Sequence, residues 1–136
     1  MKSLLILGAG GFGRMIKETA LALGYEEVLF LDDTAKDDDV IGRCCDYHLY
    51  HRDYSVAVAA FGNNKTRLFW TQKLLEEEYE VPAIVHPSAI VSPSVRLEPG
   101  CFIMQRAVVN MNTTIKMAAL INSGAVVDHD SIVEEG

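Results

Sequence analysis

The sequence predicts a small parallel α/β layer followed directly by a parallel β-helix, and three observations carry that prediction. From Ala83 to Gly136 the chain divides without remainder into nine six-residue units: AIVHPS, AIVSPS, VRLEPG, CFIMQR, AVVNMN, TTIKMA, ALINSG, AVVDHD and SIVEEG. Ahead of them, apolar runs alternate with helical patterns, the order of a βαβ layer. Between the first such run and the first helical pattern stand Gly8, Gly10 and Gly13, spaced G-x-G-x-x-G.

Residues 3 to 8 (Ser-Leu-Leu-Ile-Leu-Gly) read as a strand buried on both faces of a parallel sheet. A helix from about Arg14 to Leu23 follows the glycine triad and ends at Gly24. Val28 to Leu31 is a second strand, closed by Asp32 and Asp33, and Val56 to Phe61 is another, ending in Gly62-Asn63-Asn64. A second helix runs to about Tyr79 with Leu68, Phe69, Leu74 and Leu75 as its apolar positions. In the hexads, the third column (Val85, Val91, Leu97, Ile103, Val109, Ile115, Ile121, Val127, Val133) is aliphatic throughout and fills the axis. The first column is small, so that the three faces close. Three hexads per coil give three coils, roughly 14 Å tall at ~4.8 Å per strand layer. The division is therefore 1–82 for the α/β domain and 83–136 for the β-helix. Alternation in an ordinary sandwich imitates two or three hexads, but turns break it long before nine.

With 136 residues and 49% hydrophobic content, the chain has room for one ordinary domain or two small ones. A net charge of −7 argues against a nucleic-acid or anionic-membrane surface. The runs Asp37–Asp39 and Glu76–Glu78 read as solvated surface. No stretch approaches the ~20 apolar residues of a membrane span. Three cysteines, two of them adjacent at 44 and 45, fit a reduced, cytoplasmic protein. Their spacing with the four histidines suits no zinc site, so no metal is expected.

The glycine triad has the context that gives it meaning: a strand before, a helix after, and an acidic pair about twenty residues on. Glycines let backbone approach a phosphate, the helix start supplies amide donors, and Asp32 or Asp33 would accept hydrogen bonds from a ribose or base. A plain turn with a solvated acidic pair is the competing reading. A dinucleotide fold needs two βαβαβ halves, and the residues before the first hexad provide one, so a mononucleotide or nucleotide sugar fits better than NAD.

Joined to a hexapeptide prism, the strings LLILGAGGFG, LDD, FGNN, VHPSAIVSPS and INSGAVVDHD resemble bacterial sugar O- and N-acyltransferases. The relatives in question are the sialic acid O-acetyltransferase and the bacillosamine-pathway N-acetyltransferase, and the resemblance covers essentially the whole chain. It implies a left-handed β-helix, acetyl-CoA as acyl donor, a UDP-type nucleotide sugar as acceptor, and homotrimers with the catalytic site between neighbouring prisms. It also implies that Gly10, Gly11, Phe12 and Gly13 line the sugar-nucleotide cleft, that Asp32 and Asp33 contact the nucleoside, and that Gly62 and Asn63 lie close by. His129 becomes the general base and Asp130 the carboxylate that holds its ring. An imidazole with an ordinary pKa near ~6.5 suits that task at neutral pH. His86 reads as structural, and His48 and His51 as surface residues.

Two departures from the family stand out. Phe12 occupies a place where its members usually have histidine, and they continue for further coils that bind acetyl-CoA. The expectation is thus a truncated acyltransferase, inactive or weakly active as 136 residues. Its trimer interface is expected to rest on Met104, Asn110, Lys116 and Asn122. The runner-up function is a non-catalytic nucleotide-sugar-binding module without an acyl-donor site. A small NAD-dependent oxidoreductase is disfavoured by the missing second nucleotide half.

Overall fold

The computed structural model describes residues 1–136. The N-terminal layer runs β1 (Ser3–Leu7), α1 (Gly11–Ala22), β2 (Glu27–Leu31), β3 (Val40–Gly42), a 3₁₀ turn (Cys44–Leu49), β4 (Ala57–Ala59) and α2 (Asn64–Glu76). All four strands are parallel, in the order β3-β2-β1-β4. β1 is central, and its apolar run leaves Leu4 to Leu7 fully buried. The expected strand over 56–61 is shorter, because Val56 only bridges Glu80 and the ladder proper spans Ala57–Ala59. β3 has no counterpart in the sequence reading: it is a three-residue edge strand of half-buried residues, with a register shift where it meets Phe30 and Leu31.

α1 starts at Gly11, three residues before the expected start at Arg14, so the third glycine of the triad lies inside the helix. The acidic run that follows β2 is not simply solvated. Asp39 accepts from Arg14 at 2.7 Å and from Lys17 at 2.6 Å, and Asp37 accepts from Arg14 at 2.9 Å. The Arg14 hydrogen bond, ahead of the opposing effect of burial and with Lys17 adding to it, holds the Asp39 carboxyl at about 2. Both cations of the first turns of α1 are thereby committed to this loop.

From Ile84 onward the chain is a short left-handed β-helix of two-residue strands. β5 (Ile84–Val85), β8 (Phe102–Ile103) and β11 (Leu120–Ile121) form the first face, and β6 (Ile90–Val91), β9 (Val108–Val109) and β12 (Val126–Val127) the second. β7 (Arg96–Leu97), β10 (Thr114–Ile115) and β13 (Ile132–Val133) form the third. Every strand pairs in parallel with the one eighteen residues away, such as Thr114 with Ile132. The first and third columns line the interior: Cys101, Ile103, Ala107, Val109, Ile115, Ala119 and Ile121 make one core cluster. From Gly100 on, the sixth residue of every hexad (Gly100, Arg106, Asn112, Ala118, Gly124, Asp130, Gly136) has φ between +57° and +80°. A type II-like corner requires that conformation, which explains the glycines in this column and the Asn and Asp that also tolerate it.

The two parts pack closely. Ile84, Phe102 and Met104 belong to the same buried cluster as β1, β2 and β4, so the first face of the prism is covered by the N-terminal layer. Met104 is fully buried there and cannot carry subunit association as expected. Outward apolar residues are instead Ile90 (68% exposed) and Val126 (69%), stacked with Val108 on the second face, together with Ile132 on the third and Met111 at the corner between the two.

α2 lies along a corner of the prism. Its buried residues are Arg67, Thr71 and Leu74, whereas Phe69, expected on the apolar face, is half-exposed. Thr71 packs on Gly100, the Arg67 Nε donates to the Ala118 carbonyl at 2.6 Å, and Asn64 sits beside Gly136. Those three corner residues lie one coil apart, and their helical partners are four and three residues apart. Seven residues of helix rise about 10.5 Å, close to the ~9.6 Å of two strand layers. The fit is a matching of pitches, which leaves only narrow polar side chains between helix and corner. Arg67 also donates to Phe61 O at 3.0 Å and to Asn64 Oδ1 at 2.9 Å. Burial lowers its guanidinium pKa. Arg67→Met keeps the stem but leaves the buried Ala118 and Phe61 carbonyls without donors, and is expected to cost about 2 kcal/mol. Thermal unfolding checks this, and an unchanged Tm would show that Arg67 does not fasten the two parts.

Candidate active site

The sheet order sets the first half of the site. β1 lies between β2 and β4, and the chain reverses direction across the sheet there, so the loops after these three strands meet at one carboxyl edge. The glycine loop is central, Asp32-Asp33 flank it on one side and Gly62-Asn63 on the other. The first intrahelical bond of α1 is Arg14 N–H to Gly10 O at 3.0 Å, so the amides of Gly11, Phe12 and Gly13 precede it and remain for a ligand. Nothing lies within 4 Å of the positions a Cβ would take at Gly10 and Gly11, so the loop is an open ledge. Gly13 differs: a Cβ there would meet Gly8 O at 1.8 Å, so its role is close packing of helix on strand.

Asp32 is occupied by the fold. Its Oδ1 accepts Ala9 N–H at 2.9 Å, and its Oδ2 accepts the N–H groups of Thr34 at 3.0 Å and Ala35 at 2.7 Å. Burial pushes this carboxyl up, but those donors outweigh it and hold the pKa below its ordinary value. Asp33 accepts only Cys44 N–H, at 3.1 Å through Oδ1, which leaves Oδ2 for a ligand. A cleft of about 400 Å³ opens from this pair toward β3, lined among others by Thr34, Lys36, Val40 and Arg43. On the other flank the Asn63 side chain caps α2, accepting Thr66 N–H at 2.9 Å, while Gly62 is exposed. The Phe12 ring stands edge-on to Phe102 at 5.1 Å, so it ties the glycine loop to the prism by apolar contact. A histidine there would instead offer a hydrogen bond.

The second half of the site is a corner of the prism. His129 and Asp130 sit between the second and third faces, in the turn between β12 and β13. His129 Nδ1 lies 2.6 Å from Asp130 Oδ2. A carboxylate can only accept, so Nδ1 carries the proton and the Nε2 lone pair is available. Nε2 is 3.9 Å from Asp128 Oδ1, beyond hydrogen-bond reach, and the ring is 58% exposed. The hydrogen bond to Asp130, then the charges of Asp128 and Asp130, raise the His129 pKa, and the same bond lowers that of Asp130. This corner lies across the prism from the first face, so the chain's own glycine loop and His129 do not meet.

Two of the remaining histidines are otherwise engaged. His86 Nδ1 accepts Ser88 N–H at 3.0 Å within its own turn, and His51 Nε2 lies 3.1 Å from Glu78 O. No group of three or more His, Cys, Asp and Glu side chains is placed to hold a metal ion. No helix is long and apolar enough to cross a membrane.

A parallel mononucleotide-type layer docked on a hexapeptide prism defines a two-part hexapeptide-repeat protein. The chain belongs to the PglD N-terminal domain family, which matches residues 3–74. It is similar to the acetyltransferase domain of PglB from Neisseria gonorrhoeae in complex with acetyl coenzyme A, at 34% identity and a TM-score of 0.92, over 96% of this chain and 66% of that one. It is also similar to PerB from Caulobacter crescentus in complex with CoA and GDP-perosamine, at 30% identity and a TM-score of 0.90, over 97% of this chain and 65% of that one. WeeI from Acinetobacter baumannii shares the fold at 18% identity and a TM-score of 0.81, over 97% of this chain and 66% of that one. The chain spans about two thirds of the length of these structures.

Proposed function

We propose that the chain takes part in acetyl-CoA-dependent transfer of an acetyl group to an amine or hydroxyl of a nucleotide sugar, with His129 as general base. The observation that carries this reading is the 2.6 Å contact of His129 Nδ1 with Asp130, which leaves Nε2 unprotonated and exposed on the prism corner. The thioester of acetyl-CoA, as substrate, supplies the acyl group. Nε2 accepts the proton that the acceptor sheds as it bonds to the acyl carbon, and returns it to the departing thiolate. Asp130 orients the ring and stabilises the imidazolium that forms in between.

The nucleotide sugar is read onto the carboxyl edge of the sheet, its phosphates over the amides of Gly11 to Gly13 and its nucleoside toward Asp33 and the cleft beyond. Asp32 supports that site by fastening the loop. Because His129 stands across the prism from its own glycine loop, a neighbouring copy supplies the loop that faces it. The homotrimer implied by the resemblance would satisfy this, and the outward stripe Ile90, Val108 and Val126 beside the His129 corner supports association at that face. The nucleotide is read as UDP-type. The GDP-perosamine bound by PerB makes a GDP-linked amino sugar the other arm of the test.

Calorimetric titration with UDP- and GDP-linked amino sugars, together with a thiol-release assay with acetyl-CoA on a chain extended by the further coils of the family pattern, checks the reading. Binding of one nucleotide sugar with acceptor-dependent thiol release is expected. Binding without thiol release would leave only the nucleotide-sugar-binding module, and no binding of either would overturn the assignment of the glycine ledge.

A further inference from the structure

The turn that carries His129 differs from the other corners of the prism in how it is held. Every lower corner donates one backbone bond to the coil above: Gly124 N–H to Gln105 O at 2.9 Å, Asp130 N–H to Met111 O at 2.9 Å, and Gly136 N–H to Met117 O at 3.0 Å. That bond belongs to the fold. Other corners add exposed or half-buried side chains, such as Ser88 Oγ accepting Arg106 N–H at 3.0 Å and Ser94 Oγ accepting Asn112 N–H at 2.9 Å, whereas the side chain added at the His129 corner comes from the interior. Thr113, fully buried, donates its hydroxyl to the Asp128 carbonyl at 3.0 Å and accepts Ser131 N–H at 3.4 Å. Asp128 and Ser131 are the residues on either side of His129 and Asp130, so one hydroxyl grips both ends of the turn.

Nothing about packing requires that hydroxyl. The other first-column residues of the middle coil are Cys101 and Ala107, and Ala119 follows in the next coil; all are apolar, and the interior closes around them. Thr113 is the buried polar residue of that column, and it lies in the coil above the turn that bears the His–Asp pair. A buried hydroxyl with both its donor and an acceptor position used is satisfied, and it stiffens what it holds. Without it the turn would keep the backbone bond at Asp130, the Thr114 N–H to Ser131 O bond at 3.0 Å and its own His129 N–H to Asp128 Oδ1 bond at 2.8 Å, none of which joins both ends of the turn to the interior.

We infer that Thr113 is a positioning residue, whose hydroxyl fixes the turn 128–131 so that Asp130 holds His129 Nδ1 and Nε2 is presented outward. The inference rests on the reading of His129 as the base. The charged groups facing the ring are Asp130 and Asp128 of its own turn, and the turn above it presents Met111, Asn112 and Thr113, none of which titrates. Loosening the turn therefore weakens chiefly the Asp130 contact, and the imidazole pKa moves down.

The test compares Thr113→Val, which keeps the shape and removes the hydroxyl, with Thr113→Ser, which keeps the hydroxyl. Thr113→Ala, the residue found at 107 and 119, serves if valine prevents folding. The first readout is the NMR titration of His129 in the full chain. Val and Ala are expected to move its midpoint down, and Ser to leave it in place. The second is acetyl transfer in a chain extended by the further coils of the family pattern, where Val is expected to lower kcat ~10- to ~100-fold with little change in KM for the nucleotide sugar, as for a misplacement of about an ångström. An unmoved His129 titration in Val and Ala, or a Ser variant as impaired as Val, would overturn the inference. Full activity in His129→Ala would instead overturn the base assignment, while the titration would still report whether Thr113 holds the turn.

Discussion

Gly13→Ala is expected to leave the chain without a cooperative unfolding transition. The added Cβ would lie 1.8 Å from Gly8 O and 2.8 Å from its carbonyl carbon, both backbone atoms at the end of the central strand. No rotamer relieves that contact. α1 would have to lift from the sheet by more than about 1 Å, opening the buried contacts of Ile16 and Ala20 along its length. Ordinary overpacking costs about 1–3 kcal/mol, and this case exceeds it because the obstacle is main chain. Gly11→Ala separates the two uses of the loop. Nothing lies within 4 Å of its Cβ position, and the residue is helical, so stability is expected to hold or rise by up to about 1 kcal/mol. The methyl would stand on the ledge where phosphate approaches the helix amides, so nucleotide-sugar affinity is expected to fall about tenfold. Chemical denaturation and calorimetry read the two effects. A Gly13→Ala chain with native stability, or a Gly11→Ala chain with native affinity, would contradict the division of roles.

This division was partly legible in the sequence. The G-x-G-x-x-G spacing announced a strand-to-helix turn, and the hexad count announced the prism, because both rest on periodicities that tertiary contacts reinforce. What escaped was set by polar fits. α2 was expected to bury Leu68, Phe69, Leu74 and Leu75 as its apolar stripe, and Leu74 is fully buried, but Phe69 is half-exposed and the helix docks on the β-helix corner through Arg67 and Thr71. Hydrophobic periodicity has no signal for such a contact. The sixth column of the hexads did carry a signal, in Gly100, Asn112, Gly124, Asp130 and Gly136, since those residue types favour positive φ. The first column read as small packing residues, which describes Ala107 and Ala119 but hides Thr113, whose hydroxyl matters only once the coil above His129 is known. Asp32 and Asp33 read alike as neighbours in sequence. The fold spends the first on the amides of Ala9, Thr34 and Ala35 and leaves the second with a free oxygen.

In a chain extended by the further coils of the family pattern, His129→Ala is expected to lower acetyl transfer by about 10²- to 10⁴-fold, the usual contribution of a general base. Nucleotide-sugar affinity should stay nearly unchanged, since the ledge over Gly10 and Gly11 lies on another part of the molecule. The pH profile carries the finer test. A base acts in its neutral form, so the rate rises with pH through the His129 midpoint. The hydrogen bond that Nδ1 donates to Asp130, with the Asp128 charge behind it, raises that midpoint above the ordinary imidazole value. The acid limb of the rate profile is therefore expected above ~6.5. Asp130→Asn removes the strongest of those influences and should move the limb down. The rate on its plateau should nevertheless fall, because an amide can donate to Nδ1 as well as accept from it. When it donates, the proton sits on Nε2 and the lone pair faces the wrong way. A profile whose acid limb stays in place in Asp130→Asn would remove Asp130 from the pair. A His129→Ala protein with native turnover would remove the base itself.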